Sequence, residues 1–125
     1  MVNVVAALIN IDGKYFIGKR VSGEPAGLYE FPGGKVNHDE NNEDALLREI
    51  REELSINIDI IKCLGNVIYE YPTRTISLTL YLCNYVSGII KLHDHSDYKL
   101  VTINDLDDYN LAPADKKLIN LILRE

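Results

Sequence analysis

The chain has 125 residues, 46% hydrophobic and 26% charged, with a formal net charge of -6. This balance excludes intrinsic disorder, which needs low hydrophobicity and high charge, and the length suits one domain, 1–125, around one core. The acidic balance also argues against a nucleic-acid polymer as partner, since tracking a phosphate backbone needs clustered Lys and Arg, and no apolar run approaches the roughly 20 residues of a bilayer span.

Cys63 and Cys83 both fall in apolar, strand-like stretches, which predicts buried free thiols rather than a disulfide scaffold. The amino terminus lacks the basic, apolar and small-residue sections of a signal peptide, so the expected compartment is the cytoplasm, without membrane attachment.

In chain order, VNVVAALINI is dense in Val and Ile, and Asp12-Gly13 is a two-residue hairpin signal leading into KYFIGKR, a second strand ending near Arg20. VSGEPAG reads as a loop before LYEFPGGKV, where Pro32-Gly33-Gly34 is expected to break regular structure again. From Glu43 to Leu54 the period becomes helical, with Leu46, Leu47, Ile50 and Leu54 on one side. Asn41 or Asn42 serves as cap, and Glu43 and Asp44 suit the positive end of the dipole.

INIDIIK, NVIYEY and TISLTLYLCNYV then read as strands. In the last, Ile76, Leu78, Leu80 and Leu82 alternate with Ser77, Thr79, Tyr81 and Cys83, which predicts one core face and one more polar face. A polar stretch around HDHSD precedes a strand in YKLVTI, and Pro113 opens a final helix with Leu118, Ile119, Leu121 and Ile122 on its apolar side. Two helices among strands are best satisfied on opposite faces of a mixed sheet, an α/β class.

The chemistry concentrates in Arg48-Glu49-Ile50-Arg51-Glu52-Glu53. Glu49, Glu52 and Glu53 stand at i, i+3 and i+4 and project from one side of the helix, where their repulsion calls for an offset. A hard divalent cation such as Mg²⁺ supplies it through oxygen ligands while leaving positions for water and phosphate. A solvated, Arg-balanced surface helix is the competing reading of these six residues alone.

The upstream context GLYEFPGGKVNHDENNEDALLREIREELSI resembles the Nudix hydrolase family. The places of the family's box are taken by Gly34, Glu40, Arg48, Glu49, Ile50, Glu52, Glu53, Ser55 and Ile56, every fixed position matching except Ser55, where the family has Gly. Ser55 is therefore expected to alter the helix exit. The resemblance implies a Nudix-type α/β/α sandwich and a Mg²⁺-dependent hydrolase of phosphoanhydride bonds, with Mn²⁺ a substitute. It also implies Glu49, Glu52, Glu53 and the carbonyl of Gly33 as metal ligands, Arg48 positioning a glutamate and Glu40 supporting the loop-to-helix structure. Glu53, or a carboxylate from a later loop, is then the base.

FIGKR, GLYEFPGGKV, YEYPTRTISL and LAPADKKLI look like segments of the MutT-like nucleoside triphosphate pyrophosphohydrolases. That branch implies nucleotide contacts for Arg20, Glu30 and Phe31, base-edge reading by Asp115, and a ring enclosure of Val4, Tyr71 and Ile76. Asp94 would be a further acidic group near the metal. Each has a plainer reading: strand core for Tyr71 and Ile76, surface charge for Arg20, a first-turn helix residue for Asp115, a solvated loop for Asp94. His93 and His95, two apart in a loop, do not make a zinc site.

A carboxylate at Asp115, where some of that branch carry Asn, tilts the base toward a cytidine-type or modified nucleotide, while a protonated Asp115 would serve an oxidised guanine. The implied reaction turns a (deoxy)nucleoside triphosphate into monophosphate and pyrophosphate, as in nucleotide-pool sanitation, by a monomer or homodimer. The rivals are a Nudix hydrolase of ADP-ribose, nucleotide sugars or dinucleoside polyphosphates, for which Pro72 stands at a suggestive distance past the box, and a Nudix-fold ligand sensor without turnover.

Overall fold

The computed structural model describes residues 1–21 and 27–123, so most of the VSGEPAG loop lies outside the described residues. Val2–Ile11 (β1) and Lys14–Arg20 (β2) form the expected hairpin. Asp12 and Gly13 both take positive φ, 53° and 85°, and Asn10 Oδ1 accepts the Gly13 N–H at 2.8 Å. Paired positive φ values match the turn's twist to that of the strands.

Tyr29–Glu30 (β3) and Gly33–Lys35 (β4) follow, then a helix at Asn42–Leu54 (α1). β4 departs from expectation: Gly33 and Gly34 do not break the structure but pair antiparallel with Ala6 and Val5. The reason is steric, because a Cβ on Gly33 would lie 1.9 Å from the Val5 carbonyl oxygen. α1 begins as expected, with Asn41 Oδ1 accepting the Asp44 N–H at 2.8 Å.

Asn57–Tyr71 (β5) is one long strand where two were expected, and its register against Arg74–Ser87 (β6) shifts at three places, the last between Cys63 and Gly65. β5 lies at the sheet edge, which leaves Cys63 exposed against expectation, whereas Cys83 is buried. The strand expected in YKLVTI begins earlier, as His95–Val101 (β7), and a 3₁₀ turn, Ile103–Asp108, follows it.

Pro113–Leu118 (α2) ends the fold and passes into a π-helical turn, Ile119–Leu123. The wider turn changes the expected apolar side: Leu118 and Ile119 are buried, Leu121 is exposed, and Ile122 lies against Gly65. Among the described residues no helix is long and apolar enough to cross a membrane.

The sheet runs β3-β2-β1-β6-β5, with β4 also paired to β1 and β7 to β2. β1 and β6 are parallel and the other pairs antiparallel, so the sheet is mixed. α1 packs with Val5, Ala7, Ile9, Phe16, Tyr81 and Cys83, while α2 packs on the opposite face with Ala6, Leu8, Ile17, Leu78 and Leu80. The second face of β6 is polar at Ser77 and Thr79, whose hydroxyls accept from the Asn66 amide, as expected, but is covered by α1 at Tyr81 and Cys83. Two helices on a two-sided sheet make the α/β/α sandwich.

One irregularity positions the site. β1 and β2 pair only near their turn, at Asn10 with Tyr15 and Ile11 with Lys14. Beyond that β2 turns to β7 and β1 takes β4, and the Pro32 carbonyl accepts the Ala7 N–H at 2.9 Å in the gap. A wedge therefore opens beside the amino-terminal half of β1.

Candidate functional site

The wedge is a cleft of about 400 Å³ lined by groups from most of the chain's elements. Contacts group part of this lining: Glu49, Glu53, Asp94, Gly33 and Gly34 lie together at an acidic end, Arg20, Phe31, Tyr71 and Asp115 lie together at another, and the charge of Glu30 bears on both Glu53 and Asp115; Val4, Lys35 and Ile76 line the cleft too. The expected metal-end and nucleotide-end residues are brought together, with Glu52 the exception: its side chain is 54% exposed and bonded to Arg48.

Arg48 organises the acidic helix. Its Nε and Nη2 donate to the two Glu40 carboxylate oxygens at 2.7 and 2.8 Å, and Nη1 donates to Glu49 at 2.8 Å and Glu52 at 2.9 Å. Nη2 also reaches the Lys35 carbonyl at 3.0 Å, tying β4 to α1. The fork matches the carboxylate of Glu40 bidentately. Arg48 and the Asn37 N–H hold Glu40 down at about 2. Thus Glu40 anchors the guanidinium, and the guanidinium orients Glu49 and Glu52.

Glu53 is only 6% exposed. It receives one long bond, 3.4 Å, from the Gly33 N–H, and no salt bridge among the described residues reaches it. Burial, then the charges of Glu30, Glu49 and Asp94, push its carboxyl up to about 9. Burial also raises Glu49. Gly34 gives Glu49 its place, since a Cβ there would meet Glu49 Oε2 at 2.3 Å. Ile56 is buried beneath the helix exit.

Among the described residues no three His, Cys, Asp or Glu side chains already form a metal cluster, consistent with Arg48 drawing Glu52 outward. The donor chemistry nevertheless fits a hard divalent cation. Glu49, Glu53 and Asp94 bring carboxylate oxygens to the cleft, and among the described residues Glu53 is a buried carboxylate without a salt bridge.

Ser55 adopts the left-handed conformation itself, φ 59° and ψ 29°, so the helix exit is not altered as expected. Its Oγ lies 2.8 Å from His93 Nε2. The Lys91 N–H donates to the Leu54 carbonyl at 2.9 Å and the His93 N–H to the Glu53 carbonyl at 3.1 Å. These bonds bring Asp94 over the acidic end.

At the other end Arg20 Nη1 donates to Glu30 Oε1 at 2.9 Å. Asp115 stands in the first turn of α2 and also faces the cleft, its Oδ2 accepting the Phe31 N–H at 2.8 Å. Burial and the charge of Glu30 raise its carboxyl well above the usual range. Ile76 and Phe31 are buried, and Tyr71, whose hydroxyl accepts the Ala114 N–H at 3.2 Å, is half-buried. They line the cleft as well as packing with the core.

Several lining residues escaped the sequence reading. Val5, Ala6 and Leu78 are core strand residues by pattern, and Lys35, Arg74 and Ala112 carry no spacing signal. His95 was read as a loop residue and is buried against Glu30.

A family model described as "NUDIX domain" matches residues 4–121. The chain is 36% identical over 124 residues to the CTP pyrophosphohydrolase of Escherichia coli, covering 98% of this chain and 92% of that protein. It is 35% identical over 127 residues to the 8-oxo-dGTP diphosphatase of Haemophilus influenzae, covering 100% of this chain and 93% of that protein. Its fold superposes on a crystal structure of a MutT NUDIX hydrolase from Burkholderia pseudomallei with a TM-score of 0.85 at 27% identity, covering 95% of each chain.

Proposed function

This chain belongs to the Nudix family of hydrolases, and on that premise we propose that it cleaves nucleoside triphosphates to the monophosphate and pyrophosphate, with a modified or cytidine-type nucleotide as substrate. The observation that carries the reading is that one cleft brings the helix carboxylates Glu49 and Glu53 together with the apolar Phe31, Tyr71 and Ile76 and the hydrogen-bonding Asp115. A polyphosphate would lie toward the helix carboxylates and a base toward Tyr71, Ile76 and Asp115. The names of the two relatives, one on CTP and one on an oxidised guanine nucleotide, support the triphosphate and leave the base to experiment.

Divalent cations serve the family generally, and here Glu49, Glu53 and the Gly33 carbonyl, with Glu52 and Asp94, would hold Mg²⁺ or, in its place, Mn²⁺. When bound, the ion neutralises phosphate oxygens and acidifies a water. The chain's own residues supply the rest. Arg48 holds Glu49 at the cleft wall, Lys35 offers positive charge to the polyphosphate, Arg20 meets the nucleotide beside Glu30, and Tyr71, Ile76 and Phe31 enclose the ring. Glu53 is the proposed base: its carboxylate, once ionised, would take the proton of the attacking water.

Asp115 reads the base edge. With Oδ2 committed to Phe31, its other oxygen is left to accept from an amino group when ionised or to donate when protonated. The cytoplasm, where nucleoside triphosphates are made and oxidised, is the compartment that suits this activity.

The test is a hydrolysis screen with Mg²⁺ against CTP, dCTP, 8-oxo-dGTP, canonical triphosphates, ADP-ribose and diadenosine polyphosphates, with products followed by phosphorus NMR. Monophosphate plus pyrophosphate is expected, and orthophosphate as the primary product would overturn the reading. In the same screen Asp115→Asn is expected to shift the kcat/KM ratio between CTP and 8-oxo-dGTP about tenfold, the cost of one mispaired buried group. A uniform fall for all substrates would remove Asp115 from base recognition.

A further inference from the structure

His95 is the most enclosed imidazole beside the cleft, its side chain 1% exposed. Its Nε2 lies 3.0 Å from Glu30 Oε2, while its Nδ1 is buried with no hydrogen-bond partner among the described residues. A carboxylate oxygen accepts, so the bond is donated by Nε2–H. A residue needed only to fill this space would be Leu or Phe, which fill it without stranding a nitrogen.

The surroundings are built for the ring. A Cβ on Gly18 would come within 2.6 Å of it, so β2 carries a residue without a side chain where the imidazole lies. The Phe16 ring meets it edge-on at 6.3 Å between centroids. The register of β2 against β7 shifts between Lys19 and Arg20, opposite His95.

Glu30 is thereby held from two sides, Oε1 by Arg20 Nη1 at 2.9 Å and Oε2 by His95 Nε2 at 3.0 Å. It stands in the cleft wall with Asp115 and Glu53. A glutamate has three side-chain torsions to fix, and a partner on one oxygen alone leaves the other oxygen unheld.

We propose that His95 is a positioning residue: through its Nε2–H it locks the Glu30 carboxylate so that Glu30 and Arg20 present one geometry to the nucleotide. The role rests on the reading of the cleft as a nucleotide site. His95 touches neither substrate nor reacting atoms and acts through Glu30 alone.

The test compares wild type, His95→Leu, His95→Gln and Gly18→Ala with CTP and 8-oxo-dGTP as probes. His95→Leu is expected to raise KM about tenfold with kcat within about threefold, the signature of lost ground-state positioning. Gln, whose amide can donate to the same carboxylate, is expected to recover most of the loss. Gly18→Ala displaces an intact imidazole and is expected to reproduce the Leu phenotype.

An unchanged KM in His95→Leu, or failure of Gln to rescue a folded variant, overturns the proposal. If circular dichroism shows the Leu variant unfolded, nitrogen-15 NMR of the wild-type histidine rings decides instead. A slowly exchanging Nε2–H that shifts when nucleotide is added is expected, and a proton on Nδ1 overturns the role. A wild type that neither binds nor cleaves any triphosphate overturns the nucleotide reading and this proposal with it. An active wild type with an unmoved His95→Leu overturns the proposal alone.

Discussion

Glu53, the proposed base, illustrates how a buried carboxylate strains the protein that carries it. Its folded value of about 9 lies above the ordinary 4.5, so its contribution to stability is complete below that ordinary value and is lost as pH rises through about 9. Metal-free protein is therefore expected to lose melting temperature between those limits. Glu53→Gln should flatten that dependence, melt higher at neutral pH, and lower kcat by about a hundredfold or more. Thermal melts across pH, paired with turnover, check both halves, and a Gln variant with near-normal turnover would remove Glu53 from the chemistry. The sequence made this residue legible because helical spacing is local: Glu49 and Glu53 lie four apart whatever the fold does. The Arg48–Glu52 pair, four apart on the same helix, is local too and belongs to the Arg-balanced reading of the helix; that Glu30 reaches His95 could not be read, because it depends on β3 and β7 both pairing with β2.

Ser55 supplies a prediction about helix termination. A non-glycine residue in the left-handed conformation costs about 1–2 kcal/mol, and a neutral hydrogen bond such as that between Ser55 and His93 returns about 0.5–1.5 kcal/mol. Ser55→Gly gives up the bond and the strain together and should be near neutral. Ser55→Ala keeps the strain without the bond and should be the less stable of the two, which urea denaturation can rank. Turnover should stay near wild type in both, because the backbone bonds from Lys91 and His93 still hold the segment before Asp94. At this scale the sequence was a good guide where one element answers to its own residues, as in the Asp12-Gly13 turn and the Asn41 cap. It failed where a neighbour decides. Gly33 and Gly34 read as a break until β1 is beside them, and the strand through Gly65 stays continuous because bulges absorb what local propensity calls an interruption.

For the molecule as a whole, the sandwich is sealed by apolar contacts on both sheet faces, and the carboxylates lie outside them in the cleft. Chelation with EDTA is therefore expected to abolish turnover while leaving the far-ultraviolet circular dichroism unchanged. The melting temperature should fall only by the linkage term, about 2.7 kcal/mol of stabilisation at a hundredfold excess of ligand over its Kd. Unfolding on chelation would mean that the metal is structural. The parallel pairing of β1 with β6, Val2 beside Ile76, has a further consequence during synthesis. β1 leaves the ribosome before its partner along most of its length, since Ile76 follows Val2 by 74 residues (76 − 2). At about 5–20 residues per second the wait is on the order of ten seconds. Until it ends, one flank of a Val- and Ile-rich strand stands unpaired, an edge that invites association with other nascent chains. Val4, Val5 and Ala6 form the floor of the cleft as well as part of that strand. Ile76 and Leu78 of β6 line the cleft as well, so one wall of the cleft and the protection of this edge arrive together, and a chain stalled before β6 is an aggregation hazard that lacks both.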